Sequence, residues 1–215
     1  MADADRGSRL DRHCRALADC RMCGHGAGVA PIVSHARAPK VMLVGQAPGQ
    51  VEAAGGKPFA GRAGKTLFRW LERAGVDEET ARDRIYIAAI TRCYPGPSPS
   101  GRGDRVPSPE EQESCAVWLD AELEIIRPRL IIPVGRLAIS RFLPNAPLDE
   151  LVGRVHAGPP ETARALVIPL PHPSGASSWI HQGDHPQLLE RALELIGGEL
   201  KRAGIGTGYM KRSVA

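Results

Sequence analysis

Val41-Met42-Leu43-Val44, running straight into Gly45-Gln46-Ala47-Pro48-Gly49, is the stretch that decides the fold. Four consecutive apolar residues with no polar alternation read as a strand buried on both faces, and such strands belong to parallel sheets covered by helices. The small-residue loop that follows marks the carboxyl end of the strand, where ligand crevices open in α/β sheets. Leu166-Val167-Ile168-Pro169-Leu170 repeats the design, emptying into a loop that contains His172-Pro173-Ser174-Gly175-Ala176-Ser177. Both loops are therefore expected to line one pocket, the first offering backbone amides and the second an imidazole. Such a pocket suits an electron-rich planar ring.

Outward from these runs, strand-like and helix-like segments alternate, which is the pattern of βαβ units. Arg62 to Ala74 reads as a helix with Leu67, Trp70 and Leu71 on one face, closed by Gly75. Arg84 to Ile90 and Leu130 to Val134 read as further strands, and Leu137 to Phe142 as a short helix. Pro95 to Pro109 is too rich in Pro, Gly and Ser for regular structure. Ser108-Pro109-Glu110-Glu111 then opens a helix to about Ile126, with an N-cap, a Pro in the first turn and acids at the positive end of the dipole. Pro186 to Ala203 closes the chain with Leu189, Leu193, Ile196 and Leu200 on one stripe. The expected fold class is α/β: three layers, α/β/α, around a central, mainly parallel four-stranded sheet. Residues 1–203 form one domain in this reading, and 204–215 a flexible basic tail.

With 215 residues the chain can bury one good core, and its 24 Gly and 19 Pro assign much of it to loops. A net charge of +4 permits a polyanionic partner without requiring one. Arg62, Lys65, Arg69 and Arg73 recur at helical spacing, and Arg102 and Arg105 sit in a Gly/Pro/Ser loop; either set reads equally as a solvated face or as a phosphate-binding surface. No apolar run approaches the roughly 18 residues of a membrane span, and the acidic start, with Asp3 and Asp5, lacks the apolar core of a signal peptide. A cytoplasmic protein without membrane association is expected. Neither loop carries a P-loop or dinucleotide fingerprint.

Five cysteines in a reducing compartment argue for metal ligation or isolated thiols rather than disulfides. Cys20 and Cys23 form a two-thiolate pinch, while Cys93 and Cys115 bracket the Pro/Gly-rich loop. Four thiolates from three segments suit a tetrahedral cage, which zinc and iron-sulfur clusters both accept. Only one pair is close in sequence, which leans slightly against zinc. Cys14 has no slot in the pattern and reads as a free thiol.

The two loops, the segment Lys57-Pro58-Phe59-Ala60-Gly61-Arg62-Ala63-Gly64 and the four cysteines together resemble the uracil-DNA glycosylase superfamily, in particular its iron-sulfur branch, families 4 and 5. The likeness runs from about Cys20 to the final helix. It implies a structural 4Fe-4S cluster on Cys20, Cys23, Cys93 and Cys115, pinning the loop from Tyr94 to Pro109 near the nucleic-acid face. It implies a monofunctional glycosylase that hydrolyses the N-glycosidic bond of deoxyuridine in DNA, as in base excision repair, leaving an abasic site and free uracil. By the same resemblance Gly45, Gln46, Ala47, Phe59, Ala89 and His172 line the base pocket, with Phe59 as the stacking ring and His172 facing the uracil O2. Arg62, Lys65, Arg102, Arg105, Ser174, Gly175, Ala176 and Ser177 would contact DNA.

The chain departs from the family pattern in two respects. Gln46, Gln50 and Ala53 occupy places where relatives carry a carboxylate or its counterpart, leaving Glu52 as the nearby acid; the expected catalytic set is thus His172, Gln46 and Glu52, with Glu52 as the base unless the reaction needs none. Ala89 replaces the Asn that reads the uracil edge, so discrimination falls to backbone groups, Arg62 or the loop from Gly101 to Arg105. Gly175-Ala176 is a small wedge, which favours single-stranded or mismatched substrate. A monomer is expected. The alternative is an iron-sulfur protein of the same fold that holds flipped or damaged bases while cleaving weakly or not at all, suggested by Gln46 and Ala89.

Overall fold

The computed structural model describes residues 3–24, 28–101, 103–162, 165–174 and 179–206. Helix α1 (Asp3–Ala18) precedes strand β1 (Val41–Gly45), followed by α2 (Gln50–Gly55), α3 (Arg62–Arg73), α4 (Glu78–Arg84) and β2 (Ile85–Ala89). Then come α5 (Pro109–Ile126), β3 (Leu130–Pro133), α6 (Arg136–Ser140), α7 (Leu148–Leu151), β4 (His156–Ala157), β5 (Leu166–Val167) and α8 (His185–Arg202).

The sheet runs in the order β2-β1-β3-β5-β4. The first four strands are parallel, as the continuous apolar runs require, and the two-residue β4 adds an antiparallel edge that the sequence does not announce. Every residue of β1 is buried. Val41 and Leu43 face a core shared with α3 and α8, through Leu67, Leu71, Leu193 and Ile196. Met42 and Val44 face the other core, built with Leu119, Leu123 and Ile126 of α5, Ile139 of α6 and Leu10 and Cys14 of α1. Two apolar layers on opposite faces of one sheet make the three-layer α/β/α arrangement.

Chain order reverses at β1, with β2 on one side and β3 on the other. This is the topological switch point, and a crevice opens beyond the carboxyl ends of the strands there. β3 and β5 are extended toward it by the Val134–Leu170 bridge. The start of α5 follows its sequence signal: the Ser108 hydroxyl accepts the Glu111 amide at 3.2 Å and the Glu111 carboxylate accepts the Ser108 amide at 2.7 Å. At the other end of the chain Ile205, inside the stretch read as a tail, is buried in the core beside α8 and donates its amide to Leu200 at 2.8 Å. Residues 207–215 lie outside the described residues. No described helix is long and apolar enough to cross a membrane.

Candidate active site

At the switch point the loop after β1, the segment around Phe59, the end of β2 and the loop after β5 converge on one cavity, lined among others by Gly45, Gln46, Phe59, Ala89 and His172. Residues expected from remote parts of the chain thus meet in a single slot.

The wall at Phe59 is built by exclusion. Phe59 has φ +51°, a left-handed conformation that a bulky residue adopts at a cost of about 1–3 kcal/mol. Its ring lies over Gly45, where a Cβ would stand 2.9 Å from Cζ. Its carbonyl presses on the first turn of α3, where a Cβ on Gly64 would stand 1.8 Å from the oxygen. Only glycine fits at either place. From behind, Arg82 of α4 donates to the Pro58 carbonyl at 2.8 Å and to the Phe59 carbonyl at 3.2 Å.

The first loop is fixed by its neighbours. The Gly45 and Gln46 carbonyls accept the amides of Ile90 and Thr91 at 3.0 and 3.2 Å, so the loop is an extension of the β1–β2 ladder. Sequence reasoning makes Glu52 an acid free to take a proton. In the structure it is buried, one carboxylate oxygen accepting the Gly49 amide at 3.1 Å and the other the Gly61 amide at 2.9 Å. It braces the loop after β1 against the segment that carries Phe59.

His172 packs its ring on Gly135, whose Cβ would lie 3.0 Å from Cδ2. The Ser174 amide donates to Nδ1 at 3.2 Å, and the Ser174 hydroxyl lies 2.8 Å from the same nitrogen. Nδ1 is therefore the acceptor, and a neutral ring carries its hydrogen on Nε2. Burial holds the pKa below the ordinary 6.5, so the imidazole is neutral at pH 7. The site presents an uncharged N–H donor.

Ala89 lines the cavity with a methyl group only. The opposite lip is Gly103, Asp104 and Arg105, delivered by a hairpin in which Pro97 bridges Asp104 and Arg105 donates its amide to Gly96 at 3.0 Å. Arg105 is held by both Glu111 oxygens, at 2.7 and 2.5 Å. Asp104 belongs to the loop from Gly101 to Arg105 that the sequence offers for reading the base, and the hairpin carries it to Gly49, where a Cβ would meet its carboxylate at 2.8 Å. Arg62 lines the cavity mouth and Lys65 is exposed one turn further along α3. Arg102 and Gly175, Ala176 and Ser177 lie outside the described residues.

Cys20, Cys23, Cys93 and Cys115 line a second, smaller cavity. Burial, and after it the neighbouring thiols, push Cys93 up to about 12; burial pushes Cys115 up to about 11. Burial raises Cys23 as well, so these three thiols resist ionisation unless a cation joins them. The Trp118 indole donates to Cys20 Sγ at 3.2 Å. Among the described residues no three His, Cys, Asp or Glu side chains close tightly enough on one point to hold a single ion. Cys14 lies apart in the core, its sulfur 3.7 Å from the Ser34 carbonyl. Arg92 lines both cavities and forms a fully buried ion pair with Glu122, which also accepts the Tyr86 hydroxyl at 2.7 Å.

Comparison with known proteins agrees with this geometry. The family model of the uracil DNA glycosylase superfamily matches residues 33–197. The chain is 32% identical over 174 residues to a type-4 uracil-DNA glycosylase of Archaeoglobus fulgidus, covering 77% of this chain and 81% of that protein. It is 34% identical over 136 residues to a type-4 enzyme of Thermotoga maritima, covering 63% of this chain and 65% of the relative, just under two thirds of its length. A type-5 uracil-DNA glycosylase of Thermus thermophilus is 30% identical over 115 residues, 48% of this chain and 49% of that protein.

Proposed function

The chain belongs to the uracil-DNA glycosylase superfamily, on the iron-sulfur side of it, and from that premise we propose that it hydrolyses the N-glycosidic bond of deoxyuridine in DNA. The observation that carries the reading is the convergence of Gly45, Phe59 and His172 on one cavity at the switch point. An extruded uracil enters the cavity against the Phe59 ring, whose exposed face contributes about 1–3 kcal/mol of stacking, while the first loop meets its edge. As the bond from C1′ to N1 breaks, its electron pair passes to the base and the sugar becomes cationic. The Nε2–H of His172 donates to O2, where the negative charge develops; such a donor in a dry site contributes about 2.7–4 kcal/mol to the barrier. Neutral imidazole suits this role, since nothing in the step requires it to surrender a proton. Water completes the abasic sugar and its proton leaves to solvent. With both Glu52 oxygens engaged by amides, Glu52 serves as the brace of the pocket, Gln46 orients water, and the departure is dissociative enough to need no strong base.

Without an amide at Ala89, uracil is read by the backbone of the first loop and by the lip at Asp104 and Arg105. Arg62, Lys65 and Ser174 take phosphates around the flipped nucleotide. The products are free uracil and an abasic site, the preferred DNA is single-stranded or mismatched, and the protein works as a cytoplasmic monomer.

The four cysteines suit a 4Fe-4S cluster. The donors are all sulfur and line one cavity, a set that zinc and iron-sulfur clusters both accept; the resemblance to type-4 and type-5 relatives favours the cluster. Cys20, Cys23, Cys93 and Cys115 would hold it. Its contribution would be structural: held by Cys20 and Cys23 after α1, by Cys93 and by Cys115 of α5, it would tie these segments together beside the hairpin that carries Asp104.

Ala89 and Gln46 favour one other reading, a protein that grips a flipped base without cleaving it. Incubation with a uracil-containing oligonucleotide followed by alkali separates the two: strand scission supports the glycosylase, and tight binding without scission under single-strand and duplex conditions overturns it.

A further inference from the structure

Arg82 is not one of the residues lining the cavity, yet it is the group that holds the Phe59 main chain. We infer that Arg82 is a positioning residue for base capture: it locks the turn at Pro58-Phe59 so that the aromatic ring stands over Gly45 and stacks on the extruded base. The inference rests on the reading that Phe59 stacks on uracil.

The guanidinium is held on all its edges. Nη1 donates to the Pro58 carbonyl at 2.8 Å, Nη2 to the Phe59 carbonyl at 3.2 Å, and Nε to Glu78 at 2.7 Å. Its carbon lies 4.3 Å from the centre of the Phe68 ring, so a cation–π contact holds the fork in place along with the hydrogen bonds. A planar, pre-oriented fork on the short helix α4 grips two successive carbonyls of a segment that has no helix or strand of its own. This matters because Phe59 sits at φ +51°, a conformation it would leave if released. Gly64 admits the Phe59 carbonyl and Gly45 admits the ring, but glycines only permit the arrangement. The hydrogen bonds from Arg82 impose it. On release the backbone relaxes to negative φ and swings the ring off Gly45. Lysine cannot substitute, because one ammonium cannot bond both carbonyls and Glu78 while keeping the contact with Phe68.

Arg82 also joins α4 to α3 through Phe68, and a purely structural role has to be told apart. Phe59→Ala, Arg82→Met and the double variant are compared in single-turnover kcat/KM on a single-stranded uracil oligonucleotide. Affinity for an oligonucleotide carrying a tetrahydrofuran abasic analogue, which has no ring to stack, is measured alongside thermal stability. Expected are losses of about 10- to 100-fold for each single variant, less than about 3-fold further loss on adding Arg82→Met to Phe59→Ala, and abasic-analogue affinity within about 2-fold of wild type. Arg82→Lys retains the charge and serves if Arg82→Met does not fold; it is expected to recover at most part of the rate. Additive losses, a parallel fall in abasic-analogue affinity, or a wild-type rate for either Arg82 variant overturns the inference. A wild-type rate for Phe59→Ala removes stacking itself, and the proposal with it.

Discussion

Replacing Gly45 by Ala would set a methyl carbon 2.9 Å from Cζ and 3.2 Å from Cε2 of Phe59. Carbon atoms rest about 3.5–4.0 Å apart, so the ring has to retreat by roughly 0.6–1.1 Å along that line. Its own carbonyl is clamped by Arg82 and packed on Gly64, so the ring cannot withdraw as a unit and tilts out of the plane in which it meets the base. A displacement near 1 Å at a reacting site costs about 100-fold, and loss of the stack alone, at about 1–3 kcal/mol, costs about 5- to 160-fold. The expected fall in kcat/KM on a uracil oligonucleotide is therefore about 10- to 100-fold. Gly45 does not need a positive φ, so Ala brings no backbone strain, and thermal stability should change by no more than about 1–2 kcal/mol. Single-turnover kinetics and thermal denaturation of Gly45→Ala check both halves. A variant with the wild-type rate would refute the argument that the ring over Gly45 forms the working wall of the pocket.

Other consequences follow from the same geometry. His172→Ala should lower kcat by about 100- to 1000-fold while leaving substrate affinity within about 3-fold, measured by single-turnover rates against binding titrations. Because burial lowers the His172 pKa, the unfolded chain binds more protons as pH falls below about 6.5; its contribution to stability is present above that pH and lost below it. The matching rate profile should run flat through pH 6.5 and bend only at lower pH, which a pH series of uracil release tests; a bend above 6.5 assigned to His172 would contradict the neutral donor. Glu122→Gln leaves the buried Arg92 without its counter-ion and should cost about 3–5 kcal/mol in denaturant unfolding, with Arg92→Met/Glu122→Leu less destabilising than either single change. Cys115→Ser should abolish iron retention and visible absorbance of purified protein, whereas Cys14→Ser should leave both intact; equal iron content in the two variants would count against the cage.

Much of the fold was legible because the parallel strands are uninterrupted apolar runs, and four residues as apolar as Val41 to Val44, stopped by a small-residue loop, suit a strand covered on both faces. The N-terminus of α5 was legible because its capping box uses Ser and Glu at fixed spacing. What escaped was short or polar. In α4, Glu78–Arg84, only Ala81 is buried, so no apolar period marks the helix that carries Arg82. In α1 the apolar signal is only Leu10, Cys14 and Leu17 among charged neighbours, although their spacing of four and three is that of one helix face. Gly45 and His172 were reachable from the chain because loops at the carboxyl ends of parallel strands meet at the switch point, whereas Phe59 and Ala89 were placed in the pocket by the family resemblance. The bracing of Glu52 was not, since its partners are backbone amides of two glycines and leave no side-chain pattern. The loop from Gly101 to Arg105 was legible as a candidate lip, but which of its residues faces the pocket was not, because a hairpin's closure sets where Asp104 points.

The most direct test is alkali-dependent scission of a single-stranded oligonucleotide containing one uracil, run with the purified wild-type protein beside His172→Ala. Scission at the uracil position by the wild type, reduced at least 100-fold in the variant, is the result the convergence of Gly45, Phe59 and His172 requires. Intact strands with the wild type, or equal scission by both proteins, would contradict it.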